Sequence, residues 1–213
     1  MAKATELFDI YDDSFQKIGT KPRNEVHRDG DWHCVFHCWV IYRDVAGKDW
    51  LILQKRGPNQ DTYPNFLDIS AAGHYTAGET VADGVRELHE ELGLTDVQFS
   101  DLIPVGRRIG VAAGDGFIDR QVADVFLYIC DQPLEQYRYQ ADEIAGLIAF
   151  DVERGLEMFA NGNIGAIEVP AVGFATPTIT ITEADFIPTI DEYFYKVLIL
   201  AKHCLNGEKH LRI

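Results

Sequence analysis

Cysteine is scarce in this chain: Cys34, Cys38, Cys130 and Cys204 are the four among 213 residues. That density is too low for a disulfide scaffold, and no second pair stands at metal-ligand spacing. Reduced thiols are the expectation, with a Cys34/Cys38 zinc half-site as the alternative. Long apolar runs are missing too. No stretch approaches the ~20 apolar residues of a membrane span, and the N-terminal MAKATELFDIYDDS lacks the apolar core of a signal peptide. A cytoplasmic protein without a membrane partner is expected. Cations are few, 19 Lys and Arg against 34 Asp and Glu, for a net charge of −15. A field of that sign repels phosphate backbones, so nucleic acid is not an expected partner. An anionic ligand would need local cations, either clustered Arg and Lys or a bound metal. There is also no G-x-G-x-x-G, no Walker loop ending in Lys-Ser/Thr, no internal repeat and no low-complexity tract.

What is present is ordinary globular material, 46% apolar and 25% charged, in a length that suits one domain, residues 1–213. Leu7 to Gly19 reads as a hairpin turning at Asp12-Asp13-Ser14, and the polar Lys21 to Asp31 as a loop. His33 to Tyr42 and Trp50 to Gln54 read as paired antiparallel strands, with Gly57 to Pro64 a loop after them. Cys34, Phe36, Cys38 and Val40 would share one face of the first, which makes the two cysteines core residues. Phe66 to Ala72 reads as a strand leading into Gly73. Val97 to Ile109 and Gln121 to Ile129 read as strands around a Gly-rich loop, Gly110 to Gly116. Val152 to Ala160 and Ile190 to Cys204 carry helical patterns around the Gly/Asn-rich Asn161 to Gly165. The apolar run Val197 to Leu200 in the last helix fits core packing, with a homodimer surface as the alternative. This order points to an α+β or mixed-sheet layered domain and away from a doubly wound one.

Between Thr80 and Leu92 the period becomes helical, with Val81, Val85, Leu88 and Leu92 in one stripe. Thr80 and Asp83 resemble a capping box, and Gly93 stands where a helix ends. At about 100° per residue, Glu87, Glu90 and Glu91 fall within an arc of about 100° on another side. Like charges at these spacings cost roughly 0.2–0.5 kcal/mol per pair, and the helix dipole disfavours anions in its last turn. A solvated acidic face is one reading of the run. A hard divalent cation with oxygen ligands is the other, and it turns the repulsion into coordination.

The same residues resemble the Nudix box: Gly, five residues, Glu, seven residues, then Arg-Glu-aliphatic-x-Glu-Glu-x-Gly-aliphatic. Gly73 and Glu79 match the first half. Arg86-Glu87-Leu88-His89-Glu90-Glu91-Leu92-Gly93-Leu94 matches every fixed position of the second. Six residues, Thr80 to Val85, stand where the pattern has seven, a shortening expected to be absorbed at the helix start. The resemblance implies a mixed β-sheet sandwich flanked by helices, with a Nudix domain over about 6–155, its box at 73–94, and a C-terminal helical extension over about 156–213. It implies one to three Mg2+ or Mn2+ ions held by Glu90 and Glu91, with Glu87 as a further ligand or water-orienting group and the Gly73 carbonyl as another. Arg86 would anchor the box through a carboxylate such as Glu79. The implied activity is hydrolysis of a small-molecule diphosphate, in which metal neutralises substrate charge and activates water. Glu143 is a candidate general base, against a plain surface carboxylate. Arg28, Lys55 and Arg56 are candidate phosphate contacts, against plain surface cations.

A wider stretch, from Glu6 through Val26-His27-Arg28 and Trp32-His33 to Ala72-Gly73-His74, resembles the branch related to isopentenyl-diphosphate isomerase. That branch implies a second metal site at His27, His33 and His74; ordinary hydrogen-bonded histidines are the alternative. The isomerase also needs a cysteine before the Gly-His pair and an acid on a later strand. Ala72 and Gln121 stand there, and neither moves protons, so a hydrolase is expected. A non-catalytic nucleotide-binding module is the remaining alternative.

Overall fold

In the computed structural model, residues 6–60, 62–114, 116–161 and 164–213 are described. The loop readings at Asp61, Asp115 and 162–163, and the first five residues of the N-terminal reading, lie outside them. Strands β1 (Leu7–Tyr11) and β2 (Lys17–Pro22) form the expected antiparallel hairpin, its turn held by Asp12 Oδ1, which accepts from the backbone N–H of Ser14 and Gln16. The expected loop after it is instead a short helix, α1 (Arg23–Asp29). Its polar composition hid the pattern: Pro22 leads in, Gly30 ends it at φ 71°, and only Val26 and His27 turn inward.

Strand β3 (Trp32–Arg43) is the centre of the fold. It is apolar on both faces and must be covered on both. Phe36, Cys38 and Val40 face one core, Val35, Trp39 and Ile41 the other. Cys38 is thus a buried core residue, and all four cysteines are free thiols. One edge of β3 runs parallel to β8 (Phe117–Ile129) from Trp32 to Ile41. The other edge is shared: β4 (Asp49–Arg56) pairs at Ile41–Arg43, and β6 (Ala71–His74) at Val35–Cys38. The single strand expected over 66–72 is therefore split into β5 (Leu67–Asp68), paired with β4, and β6. Ser70 makes the split. Its Oγ accepts from Val40 N–H at 2.8 Å and donates to the Ile52 carbonyl, so a side chain bridges β3 and β4 where they diverge.

The box opens with a 3-10 turn, Val81–Val85, and only then becomes α2 (Arg86–Leu92). A 3-10 turn rises about 2.0 Å per residue against about 1.5 Å in an α-helix, so fewer residues cover the same length. The shortened spacer is absorbed there. The expected strand from Val97 also starts late, after a 3-10 turn at Phe99–Asp101. β7 (Ile103–Gly114) then runs through the expected Gly-rich loop and turns tightly into β8 (Phe117–Ile129). Small residues there form ladder rungs because β8 supplies their partners.

After β9 (Ile144–Asp151) and α3 (Val152–Asn161), two strands with no counterpart in the sequence reading appear, β10 (Ile167–Val172) and β11 (Thr178–Ile181). β10 pairs with β9 and extends the sheet in the order β11-β10-β9-β4-β3-β1-β2. The final helix α4 (Tyr193–Leu205) buries Val197, Leu198, Leu200 and Ala201 against the core shared with α3, which answers the apolar run as packing. The result is the expected mixed-sheet sandwich with α2 on one side and α3 and α4 on the other. Among the described residues, no helix is long and apolar enough to cross a membrane.

Candidate functional site

Helix α2 is fixed at both ends and along one side. The Asp83 carboxylate accepts from both the N–H and the hydroxyl of Thr80, and Gly93 ends the helix at φ 70°. Leu88 and Leu92 are fully buried against β3 and β4 residues such as Phe36 and Ile52. That orientation turns Glu87 and Glu91 toward β6 and leaves Glu90 exposed at the rim.

The inward glutamates are close to the backbone of β6. Glu91 Oε2 accepts from the Ala72 N–H at 3.0 Å and from Gln54 Nε2 at 3.2 Å. The Glu87 carboxylate lies against Gly73 so tightly that a β-carbon there would overlap it. Burial pushes the Glu87 carboxyl up to about 7, against the pull of Arg86, with Glu90, Glu79 and Glu143 adding repulsion. Burial also raises the Glu91 carboxyl well above its usual value, with Glu87 the next cause. Both acids favour protons because burial strips water from their charged forms.

Arg86 gathers the rest. Its Nε and Nη2 bind the two oxygens of Glu79 at 2.9 and 3.3 Å, Nη2 also donates to the His74 carbonyl at 2.8 Å, and Nη1 reaches Glu87 at 2.7 Å and Glu90 at 3.5 Å. The expected Arg86–Glu79 anchor is therefore formed across the shortened spacer. Glu79 in turn accepts from the Thr76 N–H.

Of the other candidates, Glu143 faces the cluster closely enough to raise both Glu87 and Glu91, while its own side chain takes Gln60 Nε2 at 3.4 Å. Arg56 is committed to Asp68 at 2.8 Å and to the carbonyl and hydroxyl of Thr62. Lys55 is half-buried in β4 opposite Leu67 and Gly146. Arg28 is exposed and bidentate to Asp29. Two members escaped the sequence reading, Gln54 and Asp68. Both are buried in strands outside the box, and the β4–β5 pairing sets them side by side near Glu91.

A second constellation lies at the other face of β6. His27 of α1, His33 of β3, His74 of β6 and Asp119 of β8 offer ligand atoms all within 4.8 Å of one another. His33 Nδ1 lies 3.1 Å from the Asp31 carbonyl, an acceptor to which it donates. The ring's Nε2 lies 3.2 Å from Asp119 Oδ1, an ion-pair distance when the ring is protonated, and His74 Nε2 is buried without a hydrogen-bond partner. Desolvation holds the His74 imidazole well below its usual range, neutral and able to ligate. Phe8 stacks on His74 at 4.6 Å, and Phe117 packs on His27 at 4.9 Å. Asp119 was missed because it stands alone on a hairpin more than forty residues beyond His74 in the chain.

No family model matches the chain. Similarity to individual proteins is extensive. An uncharacterised Nudix hydrolase of Clostridium acetobutylicum is 41% identical over 162 residues, 76% of this chain and 77% of that protein. The chain belongs to the Nudix hydrolase family and is a Nudix-type enzyme. Isopentenyl-diphosphate Delta-isomerase of Clavibacter sepedonicus is less similar, 29% identical over 137 residues, 63% of this chain and 70% of that protein. Among solved structures, a Deinococcus radiodurans protein matches in fold with a TM-score of 0.51 and 21% identity over 74% of this chain and 91% of that one.

Proposed function

We propose that this enzyme hydrolyses a diphosphate linkage, in a nucleoside diphosphate joined to another moiety or a related small molecule, with Mg2+ or Mn2+ held by Glu87, Glu90, Glu91 and the Gly73 carbonyl. The observation that carries the reading is the pair of buried carboxylates, Glu87 and Glu91, both raised by desolvation, with Arg86 the cation beside Glu87. An all-oxygen donor set of this kind suits a hard divalent cation. When bound, the ion supplies charge neutralisation for the diphosphate and a more acidic water. Arg86 holds the cluster in place through Glu79 and the His74 carbonyl. Glu87 orients the attacking water, and its proton passes to Glu87 or to Glu143 as general base. Arg28, Lys55 and Arg56 remain phosphate candidates, although Arg28 and Arg56 would have to leave their present carboxylate partners.

The donor set of His27, His33, His74 and Asp119, three imidazoles and one carboxylate, suits a borderline ion such as Zn2+, Co2+ or Mn2+. We assign it as a second, separate metal site. Isomerase chemistry is disfavoured by Ala72 and Gln121, the latter an amide that donates to Asp119.

The test is a screen of nucleotide sugars, dinucleoside polyphosphates, NADH, ADP-ribose and prenyl diphosphates with and without Mg2+. Mg2+-dependent cleavage that is lost in Glu90→Gln and Glu91→Gln is expected, and Glu143→Gln separates the two candidate bases. Conversion of isopentenyl diphosphate, or activity undiminished in both variants, would overturn the reading.

A further inference from the structure

We infer that the histidine cluster and the glutamate cluster are coupled through β6, with His74 a positioning residue whose imidazole, once ligated, fixes the backbone that shapes the Mg2+ site. The inference rests on the proposed reading that Glu87, Glu90 and Glu91 hold Mg2+.

Strand β6 is four residues long and, among the described residues, pairs only with β3. Its opposite edge is used by the box. The Ala72 N–H holds Glu91, Gly73 supports Glu87, and the His74 carbonyl takes Arg86, the residue that also touches Glu79, Glu87 and Glu90. His74 thus belongs to both sites at once, by its carbonyl to the box and by its side chain to the second cluster. A ligand bond to that imidazole restrains the peptide groups on which both buried glutamates rest.

The cluster also gathers side chains from a helix and three strands. His27 comes from α1, His33 from β3 and Asp119 from the long β7–β8 hairpin. An ion shared by all four residues anchors β6 to three elements at a point one residue from Gly73. Occupying one site therefore reduces the freedom that binding at the other must remove, and the coupling is reciprocal.

The two donor sets differ in hardness, so they can be loaded separately. The experiment strips the protein of metal and titrates one equivalent of Co2+, following the visible absorption that imidazole ligation produces. It then measures Mg2+ affinity by calorimetry in the stripped protein and in protein carrying one equivalent of Zn2+. The expected result is a Co2+ spectrum, and Mg2+ binding about tenfold tighter in the Zn2+-loaded protein, within the usual 5–150-fold range of coupled sites. His74→Gln should weaken the spectrum and lose the tightening together, whereas Arg86→Lys should keep the spectrum and lose the tightening. Absence of the Co2+ spectrum, or equal Mg2+ affinity in the stripped and Zn2+-loaded states, would overturn the coupling while leaving Mg2+ binding at the glutamates standing. Absence of Mg2+ binding in both states would overturn the proposed function as well as the coupling.

Discussion

The Glu87 carboxylate rests on the Cα of Gly73, in space that any β-carbon would fill. Gly73 has ordinary backbone angles, absent from the positive-φ glycines, so the requirement is for space and not for conformation. Gly73→Ala should displace Glu87 while the strand still pairs with β3. A misplaced supporting group at a metal site costs roughly 10–100-fold in affinity or activity. The check is Mg2+ affinity and turnover alongside the circular dichroism spectrum. A folded variant with wild-type values for both would show that Glu87 has no fixed role.

Glu91→Gln should separate stability from activity. In the metal-free protein Glu91 is buried beside Glu87, and its carboxyl is held high by that burial. A glutamine keeps an oxygen for the Ala72 N–H and removes the ionisable group. Relief of a strained functional site typically raises stability by about 0.5–2 kcal/mol. The metal-free variant should therefore melt higher than the metal-free parent, and Mg2+ should no longer stabilise it. A lower melting temperature without metal would refute the strain argument.

The sequence exposed the box because three unlike signals coincide there: helical spacing of Val81, Val85, Leu88 and Leu92, end signals at Thr80 and Gly93, and carboxylates placed against the helix dipole. Local chemistry of this kind is readable from a single chain. Gln54, Asp68 and Asp119 were not readable, since each acquires its meaning from a strand pairing that joins distant segments. The same holds for β10 and β11, whose short runs become strands by β10 pairing with the β9 edge and β11 with β10. Helix α1 failed for the opposite reason: seven polar-looking residues bury two side chains, too few to show a period.

The C-terminal helix is fastened to the sheet by a polar contact in an otherwise apolar interface. Tyr193 Oη accepts from Trp39 Nε1 at 3.0 Å and lies 3.0 Å from His37 Nδ1, with the Arg108 guanidinium 4.2 Å from the ring centre. Tyr193→Phe leaves a buried indole N–H without a partner, which costs about 1–3 kcal/mol. A fall in urea midpoint of that size at unchanged m-value is expected. A double cycle with Trp39→Phe should show the two losses to be strongly non-additive, because each removes the same bond. Additive effects would mean that the hydroxyl contributes through His37 alone.

His37 itself predicts how the enzyme responds to acid. It is 5% exposed, and burial, reinforced by Arg108, pushes its imidazole down to about 3 from the usual 6.5. The neutral ring suits its setting, because the Tyr193 hydroxyl, already accepting from Trp39, has its own proton to give to Nδ1. A depressed folded value means that the unfolded chain takes up a proton the folded protein refuses. Stability from this group is full above pH 6.5 and falls as pH drops toward 3, at up to about 1.4 kcal/mol per pH unit. His74, shifted the same way by burial, adds a loss of the same sign. The difference between parent and His37→Gln isolates one proton, since glutamine can still accept from Tyr193 and cannot titrate. Urea midpoints at pH 7.5, 6.5, 5.5 and 4.5 should fall less steeply in the variant, with the two curves converging toward the acid end. Parallel curves across that range would mean that His37 is protonated inside the folded protein, and that its bond to Tyr193 runs in the other direction.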